Sequence, residues 1–563
     1  MTASIADARA TLQRVFGYSS FRPGQSAAVI SILRGSDTVV ILPTGGGKSL
    51  CYQVPAVMFP GLTIVISPLI SLMRDQVRAL REKGVAAAFV NSAISASESS
   101  EVIARAQANE LKMLYVAPER FVSSDLAERL RPRVSALAID EAHCISHWGH
   151  DFRPSYRRLT DVRRSLGWPP TIALTATATP DVRTDIAAQL SLDNPTLIVT
   201  GFDRTNLTYA SVSAKNDAVK TPLIMSAVQS SSGSSIVYAA TKNSVERIAA
   251  GLKSAGVRAG AYHAGLDAER RRTVQDAFMA GRVRTIVATN AFGMGIDKPD
   301  VRMVVHHSMP GNLEAYYQEA GRAGRDGKQS RVLLLHAYAD RFTHEFFIAN
   351  ANPPRSVVEA VYAALQRHST NGLFRGELRD LPLPKTVRIS PRQLEGAIRI
   401  LSNAGAVSID DPSAAVVRLR LLATFERVSS VLADSPIEIG LMRAMWKCVG
   451  RKMSDGADID LNGLPPGLNG PSLCAPLLDA LQSRQLIHYA RVRGGIRITN
   501  PRRPLSAYPI GWDALERRRK GELTKLDTMQ RYAQTKHCRR AFFLRYFGET
   551  PRSRRCTSCD NCR

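Results

Sequence analysis

The chain has 563 residues, of which 44% are hydrophobic and 22% are charged, and this length accommodates about three or four domains. Such a composition excludes a wholly disordered chain, a collagen-like chain and a coiled coil. The 75 Lys and Arg residues outnumber the 49 Asp and Glu residues, so the formal net charge is +26. This surplus indicates an anionic partner, most commonly nucleic acid, although an alkaline surface without a ligand stays the alternative.

Neither a membrane segment nor a secretory signal is predicted. The sequence has no stretch of about 18 apolar residues. Its first residues carry Asp7, Arg9 and Arg14 and no apolar run. Eight cysteines in a chain of this length do not make a disulfide scaffold. We therefore expect a cytoplasmic protein, associated with the nucleoid if its source is bacterial, with no membrane partner.

From about residue 36 to 205, short apolar runs alternate with polar, helix-like stretches. This pattern predicts a parallel sheet covered by helices on both faces. The predicted strands are Thr38–Leu42, Leu62–Ile66, Met113–Val116, Ala136–Ile139 and Thr171–Leu174. After a break at Gly201–Leu207 the alternation restarts and predicts a second α/β unit. Its predicted strands are Ser235–Tyr238, Ala259–Tyr262, Thr285–Ala288, Met303–His306 and Arg331–Leu335.

The alternation stops near residue 345, and residues 346–505 show helical patterns with Pro and Gly breaks. Two stretches there are alike, a helix candidate at Ser390–Val407 and another at Ser472–Ile487 that is followed by a basic segment at 490–498. The Gly-Gly pair in that segment predicts a hairpin. A helix followed by a short basic hairpin indicates a winged helix, and a helical spacer without a nucleic-acid role stays open. Trp512–Thr535 is predicted to be one long helix.

A glycine-rich loop at Leu42–Ser49 follows the first predicted strand and precedes a helix. This is the context of a phosphate loop, in which backbone N–H groups wrap the phosphates and the helix N-terminus adds partial positive charge. Lys48 is predicted to reach the β and γ phosphates of ATP, and the Ser49 hydroxyl to ligate Mg²⁺. Leu42 replaces the first glycine of the strict pattern. The predicted nucleotide-binding residues of the loop are Thr44, Gly45, Gly46, Gly47, Lys48 and Ser49.

Two carboxylates, Asp140 and Glu141, follow the predicted strand Ala136–Ile139. They therefore lie at the carboxyl end of a parallel strand, where such sheets bind ligands. We expect Asp140 to hold Mg²⁺ and Glu141 to orient and deprotonate the attacking water. Phosphoryl transfer requires positioning and charge neutralisation more than covalent chemistry.

The segment 143–150 contains three histidines and a cysteine, and His143 and His147 could share a helix face and bind a metal. The neighbouring Trp148, Phe152 and Tyr156 favour base stacking over a closed metal site. We therefore expect this segment to contact nucleic acid.

These motifs together resemble superfamily 2 helicases and, in detail, the RecQ family of DNA helicases, over residues 10–345. The aromatic-rich loop Asp140–Tyr156 is the most specific signal, and His147 stands where the family has Gln. Further similar segments are Phe16–Gln25, Leu174–Thr179, Thr289–Asp297 and Gln318–Gly327. The resemblance implies two RecA-like lobes, an ATP-binding lobe at 1–205 and a second lobe at 206–345.

The resemblance also implies roles for individual residues. In the adenine-reading segment, the Gln25 amide matches the adenine edge, and Tyr18 and Arg22 can stack on the ring. The residues implied to contact DNA are Trp148, Phe152, Arg153 and Tyr156. From the second lobe, the residues implied to act at the γ-phosphate are Gln318, Arg322 and Arg325, with Arg325 as the arginine finger. Without the resemblance, the alternative that the two arginines are ordinary surface charges stays open.

Four cysteines near the C-terminus, with 17, 2 and 2 residues between them, predict a zinc site: Cys538, Cys556, Cys559 and Cys562. Paired C-x-x-C thiolates supply neighbouring corners of the Zn²⁺ tetrahedron, and four thiolates make a closed structural site. Disulfides or free thiols are the alternative. The isolated cysteines, expected to be buried, are Cys51, Cys144, Cys448 and Cys474.

The segment 506–563 resembles the zinc module of the family, but its position differs. In the family this module follows the helicase lobes directly, whereas here region 346–505 intervenes. The overall expectation is an α/β protein with two RecA-like parallel-sheet lobes, a helical, winged-helix-like region and a small basic zinc-binding module.

The resemblance implies an ATP-dependent DNA helicase that moves 3′ to 5′ on single-stranded DNA and unwinds tailed or forked duplexes, in DNA repair or recombination. Its cofactors would be ATP, Mg²⁺ and Zn²⁺, and an arginine finger in the same chain suits a monomer. Two alternatives stay open. One is an RNA helicase or duplex translocase built on the same two lobes, and the other is a nucleic-acid-binding protein without activity.

Overall fold

The structure is a computed structural model that describes residues 4–121, 125–146, 149, 153–293, 298–369, 372–374, 378–384, 389–409, 416–491, 495–551 and 553–563. The chain divides into two compact units, Met1–Glu345 together with Lys520–Arg563, and Phe346–Arg519. None of the described helices is long and apolar enough to cross a bilayer.

The first lobe of the larger unit is a seven-stranded parallel sheet in the order β3-β4-β2-β5-β6-β1-β7. Strands β1, β2, β4 and β6 are buried along their whole length, as a parallel sheet covered on both faces requires. The strands are β1 (Thr38–Ile41), β2 (Leu62–Ile66), β3 (Ala87–Val90), β4 (Met113–Val116), β5 (Val134–Ile139), β6 (Thr171–Thr175) and β7 (Thr196–Val199). The helices are α1 (Ile5–Thr11), α2 (Gln25–Leu33), α3 (Leu50–Met58), α4 (Ile70–Glu82), α5 (Ala96–Gln107), α6 (Leu126–Leu130), α7 (Leu159–Ser165) and α8 (Pro180–Gln189).

The second lobe is a six-stranded parallel sheet in the order β10-β11-β9-β12-β13-β8. Its strands are β8 (Leu207–Ser213), β9 (Ser234–Tyr238), β10 (Ala259–Tyr262), β11 (Thr285–Ala288), β12 (Val301–His306) and β13 (Ser330–His336). Its helices are α9 (Asp217–Gln229), α10 (Lys242–Ser254), α11 (Ala268–Met279), α12 (Leu313–Ala320) and α13 (Asp340–Ala351).

All ten predicted strands are confirmed, and three further strands were not predicted. Strand β3 is rich in alanine, which has little preference for strands. Strand β7 is largely apolar in sequence, but it lies at a sheet edge and most of its residues are exposed. Strand β8, also at an edge, alternates Thr and Ser with apolar residues. All three omitted strands, β3 included, lie at the edges of their sheets.

The C-terminal residues of the larger unit return to the second lobe and cover its edge strand β8. The Tyr209 amide donates to the Ser558 carbonyl oxygen at 3.2 Å, and the Asp560 amide donates to the Tyr209 carbonyl oxygen at 3.0 Å. Two helices precede this contact, α20 (Trp512–Gln534), which confirms the predicted long helix, and α21 (Arg539–Tyr546).

The smaller unit contains two modules, each with a three-stranded antiparallel sheet, in the orders β14-β19-β15 and β17-β16-β18. The central strand is the last of its sheet along the chain in the first module and the first in the second. The strands are β14 (Leu373–Phe374), β15 (Val407–Ile409), β16 (Val416–Leu421), β17 (Ala457–Asp460), β18 (Ile487–Arg491) and β19 (Ile496–Ile498). The helices are α14 (Arg355–His368), α15 (Pro391–Asn403), α16 (Phe425–Val431), α17 (Pro436–Val449), α18 (Lys452–Asp455) and α19 (Pro471–Ser483). In each module one long helix connects the two edge strands, α15 in the first and α19 in the second. Helix α14 precedes β14, and helices α16, α17 and α18 precede β17. The second module is inserted into the first, because all of its strands lie between β15 and β19 in the chain.

The hairpin predicted at 490–498 is wrong. Strand β18 pairs with β16, whereas β19 pairs with β14 and β15, so the two segments belong to different sheets. A Gly-Gly pair marks a change of direction but does not determine which strand its neighbour pairs with. The predicted similarity of the two helix–strand stretches is confirmed by α15 with β15 and α19 with β18. Two small sheets exclude a purely helical spacer, and a nucleic-acid role stays a prediction.

Candidate active site and cysteine cluster

The glycine-rich loop connects the end of β1 to the start of α3 in the first lobe. Gly45 and Gly47 have φ angles of +81° and +75°, a left-handed conformation that favours glycine. A Cβ atom at position 47 would lie 2.4 Å from Gln25 Nε2, so a larger residue would displace the Gln25 side chain. The loop therefore has the strand–loop–helix form in which backbone N–H groups can approach phosphates.

The predicted adenine-reading segment packs against this loop. Arg22 Nη1 donates to the Gly45 carbonyl oxygen at 2.5 Å, and Gln25 Nε2 donates to the Gly46 and Gly47 carbonyl oxygens at 3.2 and 2.9 Å. Gln25 Oε1 accepts from the Arg22 amide at 2.8 Å. Both ends of the Gln25 amide are thus engaged with the chain in this conformation. The adenine-reading role stays a prediction, and Tyr18, 52% exposed, is accessible for stacking.

The two predicted catalytic carboxylates lie directly after β5. Glu141 has a φ of +48°, a strained conformation for a residue with a side chain, and its carboxylate is 14% exposed. Burial and the neighbouring Glu141 carboxylate raise the pKa of Asp140 to about 7, and the positive charge of Lys48 opposes this shift. Lys48 and Asp140 are thus electrostatically coupled, as residues that share one nucleotide would be.

Tyr156 lies beneath Asp140 rather than on a DNA-binding surface. Its ring is fully buried, and its hydroxyl donates to the Asp140 carbonyl oxygen at 3.0 Å. The stacking role predicted for Tyr156 is corrected accordingly, because a buried ring offers no face to a base. Arg153 Nη1 donates to the Pro68 carbonyl oxygen at 3.0 Å. Trp148 and Phe152, together with His147 and His150, lie outside the described residues.

A series of polar contacts links Glu141 to the second lobe. Glu141 Oε2 lies 3.3 Å from His143 Nδ1, and the same nitrogen lies 2.8 Å from Thr175 Oγ1. Because the Thr175 hydroxyl donates to the Thr177 carbonyl oxygen, His143 Nδ1 is the donor to Thr175. The Thr177 hydroxyl then accepts from Gln318 Nε2 of the second lobe at 3.1 Å. Thr177 therefore contacts the first-lobe series through its carbonyl oxygen and the second lobe through its hydroxyl.

The charge of His143 follows from its surroundings. Burial by itself lowers the pKa of His143, but the Cys144 sulfur and the Glu141 carboxylate more than offset this effect and raise it above its usual range. Nδ1 of the imidazole contacts Thr175 and Glu141. The alternative of a metal site shared with His147 stays a hypothesis, because His147 lies outside the described residues.

The two predicted arginines of the second lobe occupy different environments. A Cβ atom at Gly45 would lie 3.7 Å from Arg325 Cγ, so Arg325 lies against the phosphate loop of the first lobe. Arg322 is 5% exposed and has its Nη2 beside Gly293 of its own lobe. Of the two, Arg325 is the one that lies beside the phosphate loop, and its role as the arginine finger stays a prediction. The last residues of the predicted motif at 289–297 lie outside the described part of the chain.

The four C-terminal cysteines come together as predicted. Their sulfur atoms all lie within 4.8 Å of one another, and within the described ranges they are the one group of three or more ligand side chains with this proximity. Cys538 is the N-cap of α21, and the other three lie in the closing segment 556–562. Hydrogen bonds from Ser558 outweigh the effect of burial and lower the pKa of Cys556 to about 7, whereas burial raises the pKa of Cys538 and Cys559.

The donor set fits Zn²⁺, which prefers four thiolates at about 2.3 Å in a tetrahedron. When bound, zinc would cross-link α21 to the closing segment and supply no chemistry. Of the isolated cysteines, Cys51, Cys144 and Cys474 are buried as expected. Cys448 is exposed, so the expectation of burial was wrong for it. Cys448 lies near the C-terminus of helix α17, beyond the buried residues of that helix, which end at Met445.

Sequence reasoning missed Arg204 and Arg540, which connect the segment between the lobes to the phosphate loop and to α21. Single arginines in a loop and in a basic helix give no signal of their own. The segment at 201–207 was recognised only as a break between lobes.

Three family models match the chain. The DEAD/DEAH box helicase model matches residues 22–186, the helicase conserved C-terminal domain model matches residues 215–327, and the RecQ zinc-binding model matches residues 497–563. The first two ranges contain the phosphate loop and Arg325 respectively, and the third contains all four cysteines.

Curated relatives carry the same assignment. The ATP-dependent DNA helicase RecQ of Bacillus subtilis is 47% identical over 345 residues, which are 61% of this chain and 58% of the relative. The probable ATP-dependent DNA helicase RecS of Bacillus subtilis is 43% identical over 333 residues, which are 59% of this chain and 67% of the relative. The chain spans little more than half the length of the first of these.

A solved structure of the DEAD-box helicase Mss116 bound to ssRNA and UDP-BeF shares the fold, with a TM-score of 0.51 and 14% identity over 62% of this chain and 77% of that one. The matched family models, the identity to RecQ and RecS helicases and the assembled cleft agree on one assignment. The chain belongs to the RecQ-like family of superfamily 2 helicases.

Proposed function

We propose that the protein is an ATP-dependent DNA helicase. The observation that carries the proposal is that one cleft combines groups from both lobes. The phosphate loop and Glu141 come from the first lobe, and Arg325 and Gln318 come from the second. Because the site is complete only when both lobes contribute, hydrolysis depends on their relative position, and a cycle of ATP binding and release can move the lobes along a strand.

In the proposed reaction, Lys48 and the amides of the loop hold the phosphates of ATP. Glu141, oriented by His143, accepts a proton from the attacking water. Arg325 stabilises the charge that develops on the transferred phosphoryl group, the usual role of an arginine finger. Ser49 and Asp140 would hold Mg²⁺, which when bound neutralises charge on the β and γ phosphates. Arg325 acts within the same chain, so a monomer suffices.

The DNA partner is proposed from the family and from charge. A net charge of +26 favours contact with phosphates, and Trp148, Phe152 and Arg153 follow the catalytic carboxylates closely enough to couple DNA contact to hydrolysis. We further propose 3′ to 5′ movement on single-stranded DNA, unwinding of tailed or forked duplexes and a role in DNA repair or recombination in the cytoplasm, at the nucleoid if the source is bacterial.

The test is ATP hydrolysis with and without single-stranded DNA, followed by unwinding of matched DNA and RNA duplexes with 3′ or 5′ tails. We expect DNA to stimulate hydrolysis and only 3′-tailed DNA duplexes to be unwound, with Glu141→Gln as the inactive control. Equal unwinding of RNA would support the RNA helicase alternative. Hydrolysis that single-stranded DNA does not stimulate would contradict the proposal.

A further inference from the structure

The segment between the lobes contains an arginine whose donors are all engaged. Arg204 lies between β7 and β8, and the guanidinium group of arginine has five N–H donors in a fixed plane. Each has an acceptor here. The acceptors are Asn206 Oδ1 and the carbonyl oxygens of Thr44, Gly321, Ala323 and Gly324, at 3.4, 3.0, 3.2, 2.9 and 3.0 Å.

These acceptors lie on both sides of the cleft. Thr44 belongs to the phosphate loop of the first lobe, whereas residues 321–324 belong to the second-lobe loop that continues into Arg325. Four of the five acceptors are main-chain carbonyls. The Arg204 side chain therefore joins the backbones of the two loops, and the contact does not depend on the rotamers of its partners. None of these acceptors is a carboxylate, so the positive charge of Arg204 is not neutralised by the groups that bind it.

Arg204 is itself held by the C-terminal module. Arg540 Nη2 donates to the carbonyl oxygens of Arg204 and Leu207 at 3.0 and 3.2 Å, and Arg540 Nε pairs with Asp203 Oδ1 at 3.1 Å. The Arg540 side chain is 13% exposed, which protects these contacts from competing water. Arg540 lies two residues after Cys538, in the first turn of α21.

The far end of α21 holds the same segment from its other side. Phe547 stacks on Phe202 with ring centroids 4.3 Å apart, and Glu549 Oε2 accepts from the Phe202 amide at 2.7 Å. Arg183 of the first lobe donates to the Phe547 carbonyl oxygen at 2.5 Å. The segment from Phe202 to Leu207 is thus bound along its length by one short helix whose N-cap is a predicted zinc ligand.

We propose that Arg204 is a positioning residue that sets the second-lobe arginine loop against the phosphate loop, and that Arg540 of the cysteine module holds Arg204 in place. The inference rests on the proposed ATPase function and adds to it a route by which the C-terminal module acts on the cleft. Arg204 does not contact the reacting atoms. It determines whether Arg325 reaches the γ-phosphate.

The geometry of the guanidinium group explains why arginine is required. Its planar arrangement of donors reaches carbonyls of two loops at once, whereas the single ammonium of lysine cannot span them. Displacement of a catalytic group by about 1 Å costs about 100-fold in rate. Arg204→Gln and Arg204→Lys are therefore both expected to lower kcat for ATP by about 100-fold, with KM changed less than threefold.

The experiment compares Arg204→Gln, Arg540→Gln, the double variant and the control Arg545→Gln in the full-length, zinc-loaded protein. Arg545 is exposed on the same helix α21, so its replacement matches the charge change at Arg540. We expect Arg540→Gln to lower kcat about tenfold and Arg545→Gln to leave it unchanged. Because Arg540 acts through Arg204, the double variant should be no slower than Arg204→Gln alone. Zinc content and thermal unfolding of every variant show whether it is folded.

A second measurement does not require hydrolysis. The ratio of the affinities for a non-hydrolysable ATP analogue and for ADP reports the contact with the γ-phosphate. Arg204→Gln should lower this ratio while leaving ADP affinity unchanged. An unchanged ratio in a folded variant, or additive losses in the double variant, would overturn the inference. Absence of hydrolysis by the unmodified protein would instead contradict the proposed function, and the affinity ratio would still decide the role of Arg204.

Discussion

The nucleotide cleft and the cysteine cluster are both assembled from distant parts of the chain, but they differ in openness. The cleft brings the phosphate loop, with Lys48, and the carboxylates Asp140 and Glu141 to the carboxyl ends of parallel strands, where such sheets bind ligands. The cluster turns four sulfur atoms toward one another within 4.8 Å. Donors that bind a ligand reversibly can take part in a reaction on that ligand. Donors that enclose a metal completely contribute only to the stability of the fold. Substitutions in the cleft should therefore lower the rate of ATP hydrolysis, whereas substitutions in the cluster should destabilise the closing segment.

The largest effect is expected in the cleft. Lys48→Ala removes the charge on the β and γ phosphates, and Glu141→Gln removes the base, so each should lower ATP hydrolysis about 1,000-fold and abolish unwinding. DNA affinity measured without nucleotide should change little, and so should thermal stability. Unwinding at the normal rate by either variant would show that the cleft is not the motor.

The cluster should show the opposite pattern. Cys559→Ser removes one of four ligands, and because small structural zinc sites contribute about 10–16 kcal/mol of binding free energy to folding, the closing segment should lose zinc and become protease-sensitive. The two lobes should still hydrolyse ATP, at a rate reduced about tenfold through loss of the Arg540 contact. Metal analysis, limited proteolysis and ATPase rates measure the three effects together.

One outcome would contradict this expectation directly. Protein that carries no stoichiometric zinc yet resists proteolysis through Arg563 would show that the module folds without metal. The control is Cys448→Ser, because Cys448 is exposed and isolated from the cluster.

Local patterns predicted the features whose signal lies within a few consecutive residues. The phosphate loop, the carboxylates after β5 and the C-x-x-C spacing are of this kind, and each has the predicted neighbours in the structure. Features that depend on which partner a group selects were not predictable. The Gln25 amide is chemically suited to adenine and to the loop carbonyls alike, and in this conformation it binds the loop.

Pairing over long distances was the second limit. The contact between Arg540 and Arg204 joins residues 336 positions apart, and neither residue type indicates the other. The aromatic-rich loop shows the same limit of sequence reasoning. Tyr156 lies in a segment whose composition is typical of base stacking, but its ring is buried under Asp140. The separation of β18 and β19 into two sheets likewise arises from tertiary pairing, which a turn dipeptide does not encode.

A smaller effect is expected from a substitution that impairs the response to DNA but not ATP hydrolysis itself. Base stacking on an aromatic ring contributes about 1–3 kcal/mol, so Trp148→Ala should lower DNA-stimulated ATPase at least about fivefold while basal ATPase stays nearly constant. Phe89→Ala, at a partly buried residue packed against the first-lobe core, is the control because it should lower both rates together through stability. Equal loss of both rates in Trp148→Ala would show that Trp148 is a core residue.

The smallest expected effect concerns the charge around the cysteine cluster. Deletion of residues 502–563 would remove the edge cover of β8 and the Arg540 contact, so single charges are the cleaner probe of DNA contact. Arg554 and Arg555 are exposed beside Cys556. If both contact phosphates of single-stranded DNA, each contributes about 0.7 to the slope of log affinity against log salt, and replacing both with Gln should flatten the slope by about 1.4. ATPase without DNA and zinc content should not change, because neither arginine belongs to the cleft or the ligand set. An unaltered slope would mean that Arg554 and Arg555 are solvated and do not contact DNA. The cysteine cluster would then be a structural site remote from DNA.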